Sequence, residues 1–393
     1  MKKEEKLLTE ICRAYLDERD IPALEELDWK ELFKLAKHHN ILGICYCVLN
    51  KSKYKNNIPQ GFFNAIRDKF FDYVYIYECQ KNALDEVEDI LSSSQVRYIL
   101  FKGAVLRNLY PVPESRAMGD IDLLIDRENR DKVKELLTNA GFDCTGQIDP
   151  VYNYRKGNVL LEVHTHIISE FGDSAFNDAF ENAVFDGYKG TLNSDYHLAY
   201  LIAHAANHLL TTGAGVRFIL DLAVLQRASE IDYDRLFDML EKINLTTFGK
   251  ALLSLCSKWF SVGRDFGTDT EKLEEYLVGD GVFGSLKSSK SFTVSRLIQI
   301  KALGEDDKEF EKSSFRLKLR LAFPSYKALR TASYIKFLDK RPYLLPLAWV
   351  YRFFYNLKNH RHHMLETIKN IDDEKTASLA KEELEFLKEI GLK

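Results

Sequence analysis

This chain of 393 residues is poor in the residues that mark extracellular, fibrous or repeat proteins. Cysteine occurs only at Cys12, Cys45, Cys47, Cys79, Cys144 and Cys256, with no CxxC pair. That scatter excludes a dense disulfide framework and leaves reduced, mostly buried thiols. Eight prolines and 20 glycines exclude collagen-like, linker-rich and bladed-repeat architectures. Positive charge is not in surplus: 55 Lys and Arg face 59 Asp and Glu, so a globally basic nucleic-acid binder is not expected. No apolar run reaches the ~20 residues of a membrane-spanning helix. The nearest approach, Pro342 to Leu357, is interrupted by Pro346 and Arg352 and reads as a buried or amphipathic helix. The opening MKKEEKLLTEICRAYL is charged and has no apolar signal-peptide segment. A cytoplasmic protein without a transmembrane segment is therefore expected.

What is present is ample core material. The chain is 46% hydrophobic and 12% aromatic, which rules out wholesale disorder. Residues 1–94 read as helical, with Leu7, Leu8, Ile11 and Leu16 near helical spacing and Asp28 placed to cap WKELFKLAKHH. The stretch GFFNAIRDKFFDYVYIYECQKNALDEVEDIL reads as one long helix ending before Ser92–Ser94. The pattern then changes. Val96–Phe101 and Asp120–Ile125 read as strands, with a short helix AVLRNLY between them. Arg127–Ala140 is a helix stopped by Gly141, and Val151–Arg155 and Val159–Thr165 are strands joined by Lys156–Gly157–Asn158. Helical periodicity returns from Asp195. The glycines Gly279, Gly281 and Gly284, with Ser288–Ser291, mark loops, Glu305–Ser314 is a charged connection, and the tail from Glu366 is an amphipathic helix. The expected fold is α+β: a small mixed-sheet core over residues 95–190, flanked by helical regions 1–94 and 191–393.

The chemistry-bearing residues cluster in that core. Asp120 and Asp122 alternate on a strand and so share a face. Two carboxylates on one face repel, and a divalent cation between them relieves the repulsion. Glu162 shares a strand face with Leu160 and His164, an unusual place for an acid without a task or a partner. Lys102–Gly103 ends a strand just before a helix, where a glycine permits close approach of a phosphate to the backbone. Arg116 offers a rigid fork for phosphate oxygens, or a partner for the aspartates.

KGAVLRNLYPVPESRAMGDIDLLID followed by LEVHTHI resembles the polymerase-β-type nucleotidyltransferase superfamily. More closely, it resembles a bacterial family known only as uncharacterised nucleotidyltransferases. The residues that carry the likeness are Lys102, Gly103, Tyr110, Pro111, Arg116, Gly119, Asp120, Asp122, Glu162 and His164, with HAANH, Arg217 and Asp221 downstream. The resemblance implies that Asp120, Asp122 and Glu162 are catalytic and hold Mg²⁺, with Glu162 helping to deprotonate an acceptor hydroxyl. It implies that Lys102, Gly103, Arg116 and Gly119 hold the phosphates of an NTP, with ATP the expected donor, and that His164, His204 and His208 contact substrate. The superfamily's usual Gly-Ser is Lys102–Gly103 here, which removes a phosphate-touching hydroxyl.

Other signals have competing readings. His204 and His208 stand four apart on a helix, a spacing that suits zinc, a substrate-facing role or a packed, hydrogen-bonded core. Arg217 and Asp221, also four apart, are placed to pair with each other. Near the end of the chain, Arg316, Lys318, Arg320, Lys327, Arg330, Lys336, Lys340, Arg341, Arg352, Lys358 and Arg361 stand against Asp339. That stretch suits a solvated cationic face or a polyanion-binding patch. The functional expectation is Mg²⁺-dependent transfer of a nucleotidyl group from an NTP to a hydroxyl-bearing acceptor. Its rivals are a non-catalytic nucleotide-sensing module and a helical protein whose basic C-terminal region binds nucleic acid.

Overall fold

A computed structural model describes residues 1–22, 26–167, 175–211, 213–280, 322–329, 335–338, 341–359 and 385–392. The chain divides into two compact units, Met1–Ser285 with Ile390–Lys393, and Leu286–Glu389. The first begins with helices α1 (Lys3–Leu16), α2 (Trp29–His38), α3 (Leu42–Lys51) and the long α4 (Gln60–Ser93). The Asp28 carboxylate caps α2 as expected, accepting from the amides of Lys30 and Glu31.

A mixed sheet follows, built from β1 (Tyr98–Leu100), β2 (Asp120–Ile125), β3 (Asp143–Ile148), β4 (Val151–Lys156), β5 (Val159–His164), β6 (Ala183–Asp186) and β7 (Lys189–Leu192). Two short helices intervene, α5 (Gly103–Leu106) after β1 and α6 (Arg130–Asn139) after β2. The strand order is β3-β4-β5-β2-β1-β7-β6. The β2–β5 and β1–β7 pairs are parallel and the rest antiparallel. This is the mixed α/β fold expected, with three strands beyond those read from sequence. Of these, β6 and β7 are four residues each at one end of the sheet, too short to show an alternation. The predicted helix over AVLRNLY is shorter than expected: α5 stops at Leu106 and Arg107–Leu109 tightens into a 3₁₀ turn.

Strand alternation sorts the residues by face. Ile121, Leu123 and Ile125 of β2 join Val159, Leu161 and Val163 of β5 in a core closed by Ala83, Val87 and Leu91 of α4 and by Val133 and Leu137 of α6. Asp120, Asp122, Glu162 and His164 occupy the opposite face. After the sheet come α7 (Ser194–Thr211), α8 (Val216–Ala228), α9 (Tyr233–Lys242), α10 (Thr246–Phe260) and α11 (Glu271–Asp280), and α7 meets the end of β1 where Tyr200 packs on Phe101 and His197 accepts from the Lys102 amide. No described helix is long and apolar enough to cross a membrane, and all six cysteines are free thiols.

The second unit shows α12 (Tyr326–Leu329) and α13 (Leu345–Asn359). Ala348 and Trp349 pack with Leu329, Ile335 and Leu338, while Leu347, Val350, Phe353 and Phe354 are exposed. The helix expected over Pro342–Leu357 is thus present but apolar on its outer side as well. Gly279, expected in a loop, lies in the last turn of α11; the rest of that loop at Gly281, Gly284 and Ser288–Ser291, the connection Glu305–Ser314 and the start of the tail helix at Glu366 lie outside the described residues. So do several of the basic residues, among them Arg316, Lys318, Arg320, Arg330, Lys340 and Arg361.

Two buried histidines tie the helices together as neutral rings. His39 Nδ1 accepts from the Val216 amide at 3.3 Å while its Nε2–H donates to the Val278 carbonyl at 2.8 Å. His197 Nε2 accepts from the Lys102 amide at 3.1 Å. Burial lowers both pKa values to about 4. An unfolded histidine titrates near 6.5, so the unfolded chain binds more protons between those values. The stabilisation is complete above pH ~6.5 and falls as pH drops towards 4. At pH 5 each ring should cost about 2 kcal/mol. Urea melts at pH 7 and pH 5 measure this, and equal midpoints would contradict it.

Candidate functional site

The site forms where β1 and β2 present opposite ends to the same cavity. β2 and β5 run parallel with Asp122 directly beside Glu162, and Asp120 beside Leu160. Period-two alternation therefore sets Asp120, Asp122 and Glu162 on one face of two adjoining strands, and all three line a cavity of about 700 Å³. Lys102, at the end of β1, reaches the same point. Its Nζ lies 2.7 Å from Asp122 Oδ1. Lys102 adopts a φ of +51°, a conformation costly for a residue with a Cβ. The hydrogen bond from its amide to His197 and the ion pair of its side chain hold it there.

Each carboxyl sits in a different electrostatic environment. Burial alone would raise the pKa of Asp122, but the Lys102 ammonium and the His164 hydrogen bond overcome it and hold the group at about 2. Burial and the charge of Asp122 push Asp120 upward. Burial, Asp120 and Asp122 together raise Glu162 to about 7. His164 is kept neutral by burial, and its Nε2–H donates to Asp122 Oδ1 at 3.0 Å. The ligand atoms of Asp122, Glu162 and His164 lie within 4.8 Å of one another, a group that could hold a metal ion. Carboxylate oxygens suit a hard cation, and among the described residues the Lys102 ammonium already contacts Asp122.

Nine of the ten residues singled out from sequence line this cavity: Asp120, Asp122, Glu162, Lys102, Gly103, Arg116, Gly119, His204 and His208. The exception is His164. It stands behind Asp122, 6% exposed and packed edge-on against Phe101, so it orients the carboxylate rather than lining the substrate space. Arg116 also departs from expectation. Its Nε and Nη2 form a two-point pair with Asp221, both at 2.8 Å, so that fork is not open to phosphate or to Asp120 and Asp122. Arg217, expected to pair with Asp221, instead donates to the Ala117 carbonyl at 3.0 Å. Both differences arise because Asp221 turns inward from α8 and meets a residue 105 positions away. His204 and His208 contact each other through Nε2 atoms 3.2 Å apart. Among the described residues they belong to no group of three or more candidate metal ligands.

Gly103 leaves room that two side chains use. A Cβ there would come within 2.7 Å of Met118 Sδ and 2.9 Å of Arg116 Nη1. Sequence reading passed over Tyr73, Tyr77 and Gln80 of α4, and Arg107, which complete the wall. Positions 73, 77 and 80 follow helical spacing. That spacing was the available signal, hidden within an aromatic-rich helix that reads as ordinary packing. Gln80 Nε2 donates to the carbonyls of Met118 and Gly119, which fixes the turn into β2, and its Oε1 accepts from Arg107.

Residues 25–261 match the family described as "Uncharacterised nucleotidyltransferase". Among solved structures, the antibiotic-resistance factor ANT(2'')-Ia is 13% identical, over 41% of this chain and 89% of its own, with a TM-score of 0.32. The polyadenylate synthase of a Megavirus is 12% identical, over 71% of this chain and 57% of its own, with a TM-score of 0.25. No curated protein matches the chain.

Proposed function

This chain belongs to the uncharacterised nucleotidyltransferase family, and from that premise we propose that it moves a nucleotidyl group from an NTP to a hydroxyl-bearing acceptor with Mg²⁺. One observation carries the reading: three carboxylates from two adjoining strands line a single cavity. Asp120, Asp122 and Glu162 would hold the ion, and their oxygen donors match the preference of Mg²⁺. When bound, Mg²⁺ neutralises triphosphate charge and activates the acceptor oxygen. Glu162 takes the acceptor's proton as that oxygen attacks the α-phosphorus and pyrophosphate leaves. His164 keeps Asp122 in position through its hydrogen bond. Lys102 supplies a positive charge beside the same carboxylate. Nucleotidyl transfer needs little covalent chemistry from the protein, so this placement of charge is most of what is required.

The test is incubation of the full chain with α-labelled ATP, Mg²⁺ and cell extract. Labelled acceptor and free pyrophosphate should appear together, and a chelator should abolish both. Nucleotide binding with no turnover for any of the common NTPs would favour the sensing role and overturn catalysis.

A further inference from the structure

The charges lining the cavity fall into two groups by their ion pairs. Of Asp120, Asp122 and Glu162, Asp122 is paired with an ammonium, that of Lys102. Arg107, Arg116 and Arg217 share one lining carboxylate, that of Asp221. The Glu114 carboxylate also acts on Arg107, and the three guanidiniums still outnumber the carboxylates near them. Arg116 takes both oxygens of Asp221. Among the described residues, no carboxylate is in ion-pair contact with Arg107 or Arg217. Arg107 is 5% exposed, and its buried Nε has no hydrogen-bond partner among the described residues. Its described contacts are Gln80 and the ring of Tyr77 at 4.9 Å, with the Glu114 carboxylate acting on it from outside contact distance. Burial and the neighbouring Arg116 lower its pKa to about 10, which leaves it charged at neutral pH and marks how exposed it is to like charge. Burial and Arg116 depress Arg217 in the same way.

Unpaired buried charge is costly, and a protein keeps it where a ligand will pay that cost. We propose that Arg107 and Arg217 form an oxyanion subsite, separate from the carboxylate cluster, that takes a phosphate group carrying two negative charges. Guanidiniums suit that ligand because their planar donors match phosphate oxygens. The subsite is tied to the carboxylates through Gln80, which accepts from Arg107 and donates to the two carbonyls just ahead of Asp120. A phosphate seated on Arg107 is therefore held in register with β2. The inference rests on the nucleotidyl-transfer reading for its context. The phosphate has two sources, the distal end of the donor triphosphate or a phosphate carried by the acceptor.

Calorimetric titration of the full chain with inorganic pyrophosphate, inorganic phosphate and a non-hydrolysable ATP analogue tests it, using Arg107→Gln and Arg217→Gln. Each substitution should weaken binding of the phosphate probe by about tenfold or more, the scale of a lost charge-assisted contact. Arg217→Lys keeps the charge and should lose less, which guards against a variant that merely unfolds. If the donor's phosphates occupy the subsite, pyrophosphate competes with the analogue and both weaken in the glutamine variants. If the acceptor's phosphate does, inorganic phosphate binds the analogue-loaded protein and it alone weakens. Phosphate and pyrophosphate affinities unchanged in both glutamine variants, or undetectable in the unmodified chain at millimolar concentration, would overturn the proposal. Retained transfer in Asp120→Ala would instead sink the nucleotidyl-transfer reading and leave the subsite standing.

Discussion

Asp122→Asn is expected to lower nucleotidyl transfer by about a thousandfold, the equivalent of roughly 4 kcal/mol of lost transition-state stabilisation. Asp122 is 3% exposed and receives both the Lys102 ammonium and the His164 ring nitrogen. Its carboxyl is held ionised by those partners, with a pKa of about 2, so it presents full negative charge at any physiological pH. Asparagine keeps the shape and removes the charge. The cavity then loses one anionic ligand, and Lys102 is left beside a neutral amide. Asp120→Asn is the companion variant, because Asp120 carries no ion pair among the described residues and its loss should impair transfer with less effect on folding. Pyrophosphate release at saturating Mg²⁺ measures both, and a thermal melt separates chemistry from stability. Wild-type turnover in Asp122→Asn would show that the carboxylates do not carry the reaction.

Asp221→Ala should destabilise the fold by about 3–5 kcal/mol, the usual cost of removing one partner from a buried ion pair. Asp221 accepts two bonds from Arg116 and one, at 2.6 Å, from the Tyr110 hydroxyl. Without it, Arg116 joins Arg107 and Arg217 as a third unpaired guanidinium on the same wall. Replacing both members, Arg116→Met with Asp221→Leu, should recover most of the loss, since neither charge is then left stranded. Urea denaturation of the single and double variants gives the comparison. A loss below about 1 kcal/mol in Asp221→Ala would mean that water already reaches the pair.

The carboxylate cluster was legible because strand direction is a local property. DIDL alternates acid with apolar residue, and LEVH alternates apolar residues with Glu162 and His164, so the shared face followed from period two before any pairing was known. The parallel register that sets Asp122 beside Glu162 then needed only that the two strands be neighbours. The helices capped by Asp28 and stopped by Gly141 were legible for the same reason, since a cap acts within one turn. Gly141 takes a φ of +83°, where its lack of a Cβ is needed.

The choice of ionic partner was not legible. Arg116 and Lys102 both carried the right charge to hold phosphate, and the sequence left open whether acids would claim them. The fold settles it by bringing Asp221 from α8 onto Arg116 and by curling Lys102 back onto Asp122. Arg107 and Gln80 escaped notice altogether, because a cavity wall is assembled from helices far apart in the chain. Spacing along one element determined which faces are acidic and which are apolar in this protein. Which cations are neutralised and which stay open for a ligand was decided only by packing between elements, because burial sets the strength of a charge and only folding brings its partner within reach.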